Sequence, residues 1–453
     1  MTEPFSHSDV AALFGRPSRL QRQLDVESAL ALAQAAVGIV PVEAADRIAA
    51  VAHLELFDDA ELLREEARTG HSLVPLVAGL AALSGPEAGG WVHWGATTQN
   101  IQQTSESLAL RVVVDGVEDL LRRIVGVLAD LAEEYAETVM AGRTHGQQAV
   151  PITFGLKVSA WVDAFLHDLE RLAECAPRVL TCMTGGAAGT FAAMGERGPE
   201  VQAAVAARLG LLPMPVPSRN IVDPFAELVC VLGLACATAG SVADEVARLM
   251  SVEFGELAEP VPDGDVGSST MPQKRNPKRS GSVVTSCARV RGLVPTALEA
   301  VVQSHEVDGA RSALMEQVLE QACTLAVGAL GDLHEILSGL CVFPARMRAN
   351  LDLTGGLICA EAVMMALAES IGRQRAHDLV HHLAHLASTT EAAFDQLLRD
   401  DPVVGAALSA SELSRLLDPA THVGLSARLA RETAARARAV VTGARAPGRG
   451  SRI

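Results

Sequence analysis

Aromatic side chains are scarce in this chain, whereas aliphatic side chains are abundant. Phe, Trp and Tyr together make up 3% of the 453 residues, against 49% for all hydrophobic residues, and there is one tyrosine. Small aliphatic side chains allow long helices to pack closely. Because the chain is too long for one compact core, we expect two or three subdomains. The composition therefore predicts a large helical protein.

Basic residues are also few, with 37 Lys and Arg against 54 Asp and Glu, which gives a formal net charge of −17. An acidic surface does not attract the phosphate backbone of nucleic acids or anionic lipid headgroups. We therefore expect neither a nucleic acid nor a membrane as a partner. A small anionic substrate would need its own local basic pocket.

Cysteine motifs and export signals are lacking as well. The eight cysteines form no CxxC pair, and most lie in apolar helical runs, which indicates small buried hydrophobes rather than disulfides. Residues 1–7 are polar and lack the cationic and apolar regions of a signal peptide. No uninterrupted apolar run reaches transmembrane length. These absences predict a cytoplasmic protein.

Sustained alternation of polar and apolar residues is almost absent, so strands should be scarce. Apolar residues instead recur every three or four positions, and the longest such pattern, 105–139, exceeds the usual length of a globular helix. Further helical patterns cover residues 20–36, 42–54, 155–180, 225–255, 281–303 and 312–340. Long helices joined by short loops indicate a bundle.

We predict an all-α fold with three domains. Residues 1–104 form an N-terminal helical domain, 105–342 a central bundle of long helices, and 343–453 a C-terminal helical domain. The third domain begins where the helical patterns become shorter and are broken by glycine and proline. From about residue 442 the tail is rich in Gly, Arg and Pro, and we expect it to be frayed.

A loop rich in glycine, serine and basic residues is the most informative segment of the chain. It reads GSSTMPQKRNP and covers residues 267–277. Glycine on both sides of Asp265 permits positive φ or a close approach of the backbone to a ligand. Ser268 and Ser269 offer hydroxyl and backbone N–H groups, and Lys274 adds positive charge. The segment suits a carboxylate that has a removable proton beside it.

Two other segments carry polar side chains that point to chemistry. Thr97 and Thr98 precede the longest helix, where they can cap it or, with the free N–H groups, face a bound carboxylate. A lone histidine is more often structural than catalytic, but His145 has Arg143, Thr144 and Gln147 around it. This density indicates a functional cluster. A glycine-rich turn at 184–190 could also bring backbone close to a ligand.

These segments, in this order, make the chain similar to the fumarase/aspartase superfamily over nearly its whole length. It most resembles the branch that contains adenylosuccinate lyase and bacterial 3-carboxy-cis,cis-muconate cycloisomerase. Residues 19–27, 345–360 and 416–419 resemble the cycloisomerase. The region around His145 resembles the lyase, and His71 and His93 fall where that lyase has active-site histidines.

The resemblance implies a carbanion mechanism in a homotetramer whose active sites each draw on three subunits. Such enzymes remove a proton next to a carboxylate and expel a leaving group from the neighbouring carbon. By its place in the motif Ser268 would be the base, and His145 would protonate the leaving group. The resemblance implies no metal and no cofactor. The implied substrate-binding residues are Thr97, Thr98, Gln147, Lys274, Asn276, His71, His93, Arg143 and Ser269.

Several positions depart from the branch. Val222, Pro224 and Val307 stand where arginines are usual, and Asn100 and Gln103 replace two acidic residues. Fewer arginines should weaken the binding of a highly anionic substrate. We therefore hypothesise a small 2-substituted succinate that eliminates to fumarate and releases an amine, nitrite or a similar group. Candidates to replace the missing arginines are Arg143, Arg219 and Arg311.

Three alternatives stay open. The first is 3-carboxy-cis,cis-muconate cycloisomerase activity in aromatic catabolism. The second is a structural tetramer recruited from the superfamily, although the joint retention of Ser268, Lys274, Asn276 and His145 argues against it. The third is a metal site at His377, His381 and His385, which share one helical face beside His382. No acidic residue completes that set, so we predict no metal.

Overall fold

The computed structural model describes residues 5–261, 270–271, 273–390 and 392–443. The chain folds into two compact units, each built from three separate segments. The first unit contains Met1–Leu120, Asp168–Ala237 and Thr285–Gly331, and the second contains Leu121–His167, Thr238–Val284 and Asp332–Ile453. The three-domain division at residues 104 and 342 stays a prediction.

Most of the described residues are helical, which confirms the predicted fold class. The first helices are α1 (His7–Phe14), α2 (Arg16–Ala36), α3 (Val42–Val51), α4 (Asp59–Thr69), α5 (Leu73–Ser84) and α6 (Pro86–Gly89). The long helices and one short helix follow as α7 (Thr98–Glu134), α8 (Phe154–Val179), α9 (Gly198–Leu209), α10 (Asp223–Leu249), α11 (Lys278–Ala300) and α12 (Gly309–Ser338). The chain ends with α13 (Pro344–Leu351), α14 (Ala360–Ile371), α15 (Arg373–Thr389), α16 (Phe394–Asp400), α17 (Pro402–Ala407), α18 (Ala410–Leu416) and α19 (Ser426–Val441).

Strands are scarce, as predicted, and within the described ranges they form three two-stranded sheets. The longest pair is an antiparallel hairpin of β1 (Val139–Thr144) and β2 (Gln147–Thr153). β3 (Thr181–Cys182) pairs in parallel with β4 (Leu212–Pro213), and β5 (Leu257–Ala258) pairs antiparallel with β6 (Cys341–Val342).

The predicted start of the longest helix is wrong by two turns. The apolar pattern begins near residue 105, but α7 already begins at Thr98. Its first turn is polar because its side chains serve as helix caps and contacts, as described below, and an apolar pattern does not register them. This shift puts the threonine pair directly at the helix start.

One apolar cluster among the described residues positions the helices of the first unit that matter for function. It contains Leu24 and Leu30 of α2, Leu76 and Leu80 of α5, and Ile101 of α7, each at most 1% exposed. Full burial of one such side chain contributes about 1.5–3 kcal/mol. The core therefore fixes the starts of α5 and α7.

Two smaller apolar clusters lie among the described residues of the second unit. One joins the hairpin to the end of α13 and the segment after it, through Ala141, Leu351, Ile358 and Cys359. The other holds the short C-terminal helices together around buried side chains such as Phe394. The first of these clusters secures the base of the hairpin that carries His145.

By length and composition, α10 meets the criteria for a membrane span, and its mean hydropathy is 1.8. The apolar pattern of the sequence did not predict such a span. A second candidate among the described residues is the bent pair Pro344–Thr354 and Leu357–Ile371, if it is counted as one span. However, 67% of the most apolar window of α10 is buried inside the protein. Such burial is typical of a core helix.

Candidate active site

The start of α7 is tied to the glycine-rich turn by one buried amide side chain. The Thr97 N–H donates to Asn100 Oδ1 at 3.0 Å, and the Thr97 hydroxyl donates to Gln99 at 3.1 Å. Asn100, fully buried, also accepts from the Gly186 N–H at 3.1 Å and donates to the Gly186 carbonyl at 3.3 Å. Asn100 thus brings the turn and the helix start together. Sequence reasoning noted Asn100 only as the loss of an acidic residue.

The turn itself needs glycine, most clearly at Gly189. Its φ is +76°, and a Cβ there would lie 2.7 Å from the Pro217 carbonyl oxygen. The backbone therefore passes closer to its neighbour than any side chain would allow. The weak sequence signal at 184–190 is explained by this packing and by the contact with Asn100.

His71 lies against the same helix start. The Thr98 hydroxyl and His71 Nε2 are 3.4 Å apart, and His71 Nδ1 is buried without a hydrogen-bond partner in the described structure. A buried ring nitrogen without a partner is costly unless a ligand or water satisfies it. Thr97, Thr98 and His71 therefore form one group at the positive end of the α7 dipole, where an anion is stabilised.

His93 is held by a buried carboxylate. Its Nδ1 lies 2.6 Å from Glu27 Oε1, and the Glu27 side chain is 1% exposed. His93 also has a left-handed backbone, with φ of 61°. Together with Thr98 it lines a cavity of about 360 Å³ whose other walls are mainly aliphatic side chains such as Leu73 and Val77. Four predicted site residues thus meet in the first unit.

His145 occupies the tip of the β1–β2 hairpin in the second unit. Thr144 pairs with Gln147, so His145 and Gly146 form a two-residue turn, and both have positive φ, 51° and 77°. Positive φ at both positions is the geometry of a type I′ turn, the tight turn that matches the twist of a hairpin. His145 and Gln147 are exposed there.

Arg143 anchors this hairpin rather than projecting with His145. Its two terminal nitrogens donate to the two oxygens of Glu256 at 2.9 and 2.6 Å, and its guanidinium lies 4.7 Å from the centre of the Phe254 ring. Glu256, fully buried, also accepts from Asn350 at 2.7 Å. The pair is bidentate, which adds geometric specificity. The substrate-binding role of Arg143 stays a prediction.

The signature loop is described only in part. Ser268 and Ser269 lie outside the described residues, whereas Lys274 and Asn276 are exposed just before α11. Glu259, 5% exposed, accepts from the Arg279 and Ser280 N–H groups at 3.1 and 3.0 Å. A carboxylate at a helix N-terminus satisfies free N–H groups. Glu259, which sequence reasoning missed, thereby fixes the exit of the loop.

The candidates for replacement arginines are already paired. Arg219 donates to Glu316 at 2.9 Å, and Arg311 lies 2.9 Å from Glu299. Val222, at 2% exposure, is a core residue. Position 222, where an arginine is usual in the branch, therefore belongs to the apolar core in this protein.

No group of three or more His, Cys, Asp or Glu side chains in the described ranges could hold a metal ion. The His377 and His381 rings are stacked 6.0 Å apart on α15, and both histidines are exposed.

Comparison with known families identifies the family to which the chain belongs. The profile described as "Lyase" matches residues 7–292, and that described as "Adenylosuccinate lyase C-terminus" matches residues 356–433. The chain belongs to the lyase family of the fumarase/aspartase superfamily. This confirms the predicted superfamily and the prediction that the protein is an enzyme.

The lyase has similar relatives with different named activities. It is 41% identical to a 3-carboxy-cis,cis-muconate cycloisomerase of Pseudomonas aeruginosa, over 93% of this chain and 92% of the relative. It is 37% identical to an N-acetyl-S-(2-succino)cysteine lyase of Dickeya dadantii, again over 93% and 92%. The crystal structure of a fumarate lyase from a Mesorhizobium species matches with a TM-score of 0.88 at 34% identity, covering 96% of this chain and 99% of that one.

Proposed function

We propose that this lyase converts a small 2-substituted succinate into fumarate and releases an amine, nitrite, a thiol or a similar group. The observation that carries the proposal is the group at the start of α7, where the Thr98 hydroxyl lies 3.4 Å from His71 and the buried His71 Nδ1 has no partner in the described structure, at the positive end of the helix dipole. A relative named for a 2-succino substrate supports this substrate class. The absence of arginines at positions 222, 224 and 307 supports a substrate with few negative charges.

In this mechanism the helix start holds a carboxylate while charge builds on it. Ser268 removes the proton from the carbon next to that carboxylate, and the resulting carbanion is stabilised as an enediolate by Lys274 and Asn276. The electron pair then forms the double bond of fumarate, and the bond to the leaving group breaks. His145 protonates the departing heteroatom as the general acid.

The three groups of residues act together in a homotetramer, in which each site draws on three subunits. Ser269, Gln147, Arg143 and His93 complete the binding of the substrate in the same proposal. The exposed position of His145 at a hairpin tip suits a side chain that is presented to another subunit. Neither a metal nor a cofactor takes part.

Cycloisomerisation of 3-carboxy-cis,cis-muconate is the second candidate function. The 41% identity to a relative of that name favours it. Both reactions involve a carbon next to a carboxylate, so they differ in the substrate rather than in the site described above.

The decisive experiment offers the purified enzyme a panel of 2-substituted succinates and, separately, 3-carboxy-cis,cis-muconate. We expect fumarate from the succinates, measured by chromatography. Replacement Ser268→Ala should lower turnover by about 100- to 10,000-fold and leave the oligomer intact by light scattering. Ser388→Ala, on the exposed side of α15, is the matched control. No fumarate from any succinate, with turnover of the muconate, would establish the cycloisomerase instead.

A further inference from the structure

A polar cavity of about 290 Å³ in the first unit is lined by residues that follow His71 and Thr98 closely in the chain. Ser72, the next residue after His71, lines it. So do Gln102 and Glu106, which lie one and two turns after Thr98 on the same face of α7. The cavity therefore lies one to two helical turns from Thr98, on the same face of α7.

The walls of this cavity carry opposite charges. Arg19 and Arg22 lie on the α2 wall, and Glu106, Glu316 and Glu320 lie on the α7 and α12 walls. Among the described residues that line it, no ion pair joins the two arginines to the three carboxylates. The arginines donate to backbone carbonyls instead: Arg22 to Leu13 and Ser105 at 2.7 and 3.1 Å, and Arg19 to Phe14 at 3.1 Å.

One buried acceptor in the cavity is unsatisfied. Gln23 is 2% exposed, and its Oε1 is buried without a partner in the described structure. Burial raises the pKa of Glu106 to about 7, helped by the charge of Glu316 and opposed by Arg219, Arg19 and Arg22. A buried acceptor without a donor costs free energy, so Gln23 favours a ligand that brings N–H donors, and a cation beside Glu106 would favour its ionised form.

We propose that this cavity binds the leaving group of the substrate and that the leaving group is a free α-amino acid. Its ammonium group lies against Glu106 and Gln23, and its carboxylate lies toward Arg19 and Arg22. The substrate is then a succinate joined at C2 to the sulfur or nitrogen of an amino acid. This inference rests on the proposed function and specifies its substrate.

The reaction balances without a further reagent. Ser268 takes the proton at C3, the C2–S or C2–N bond breaks with its electron pair going to the heteroatom, and His145 returns a proton to it. Fumarate and the amino acid leave. An N-acetylated amino acid, as in the name of the Dickeya relative, has no ammonium group and should be a poorer substrate here.

The aliphatic cavity beside His93 is the competing subsite for the leaving group. It also reaches Thr98, but its walls suit an uncharged group. The two cavities therefore predict opposite preferences for charge on the leaving group.

The test uses thioether adducts of succinate that differ only in the charges of the leaving thiol. Cysteine carries both charges, 3-mercaptopropionate lacks the ammonium, cysteamine lacks the carboxylate, and ethanethiol lacks both; N-acetylcysteine is a fifth arm. We expect kcat/KM for the cysteine adduct to exceed every other by about 10-fold or more, because a charge-assisted hydrogen bond in a buried site contributes about that factor.

Two variants test the ammonium and the carboxylate of the leaving group separately. Glu106→Gln should lower kcat/KM for the cysteine adduct about 10- to 100-fold and change it little for the 3-mercaptopropionate adduct. Arg19→Gln should weaken the cysteine and 3-mercaptopropionate adducts alike and spare the cysteamine adduct. Asp115→Asn, which removes a carboxylate from an exposed position of the same helix, is the matched control.

The outcomes distinguish this inference from the function on which it rests. Equal kcat/KM across the adducts, or a preference for ethanethiol, overturns the amino-acid subsite while fumarate formation still supports the lyase reaction. An unchanged preference in Glu106→Gln overturns it as well. If no adduct gives fumarate, the proposed function and this inference are both refuted.

Discussion

Glu106→Gln should stabilise the protein at alkaline pH, although it removes a carboxylate charge from the proposed leaving-group subsite. Burial raises the pKa of this carboxyl from 4.5 to about 7, and Glu316 adds repulsion. The folded state therefore holds a proton that the unfolded state releases between these two values. Ionisation of Glu106 in the folded protein costs free energy, and glutamine avoids that cost.

The sign and size follow from proton linkage. Between pH 4.5 and about 7 the folded state binds one more proton than the unfolded state, so the free energy of unfolding falls as pH rises. Each pKa unit is worth about 1.4 kcal/mol. The shift corresponds to about 3 kcal/mol, and because the side chain is partly exposed toward the cavity we reduce it to about 2 kcal/mol.

The assay is urea denaturation of wild type and Glu106→Gln at pH 5 and pH 8, at one fixed protein concentration. We expect equal stabilities at pH 5 and a variant more stable by about 2 kcal/mol at pH 8. The charges that face Glu106 come from Arg19, Arg22, Arg219 and Glu316, and all are kept in both proteins. A stability difference that does not change with pH would refute the reasoning.

Three further predictions concern other parts of the structure. Arg143→Ala should destabilise the protein by about 3–5 kcal/mol in urea denaturation, because it leaves buried Glu256 without a counter-charge; an effect under about 1 kcal/mol would contradict the anchoring role. Asn100→Ala should cost about 1–3 kcal/mol and raise KM, since Gly186 loses its link to the helix start; an unchanged KM would separate this link from binding. Iodoacetamide should label Cys341, which is exposed, in the native protein and spare the buried thiols; burial raises the pKa of Cys175, Cys182 and Cys323 to about 12 and that of Cys359 to about 11. Peptide mass spectrometry reads this out, and early labelling of a buried thiol would contradict it.

The sequence predicted the helical fold and three of the site's segments for a physical reason. Apolar periodicity indicates which face of one helix or strand is buried. An unusual loop composition indicates an unusual backbone conformation. Neither reports which distant residue a polar group will meet. The start of α7 was therefore misplaced, because Thr98 and Asn100 are helical through caps and a tertiary contact rather than through apolar spacing.

Arg143 illustrates the same limit of prediction from the sequence. In the sequence it lies two residues from His145 and looks like a binding residue. In the structure it pairs with Glu256, more than a hundred residues away, and its guanidinium is committed to that contact. A cation near a catalytic histidine is therefore ambiguous until its partner is known.

Three buried glutamates each hold one segment of the proposed site in place. Glu27 holds His93, Glu256 holds the base of the His145 hairpin, and Glu259 caps the helix that follows the signature loop. A buried carboxylate is costly unless its partners are fixed, so each one makes its segment rigid. Segments that must present side chains to a site shared between subunits cannot rely on contacts within that site for their shape. In our proposal the buried carboxylates supply that rigidity from inside each unit, and exposed His145 and Lys274 remain available for the substrate.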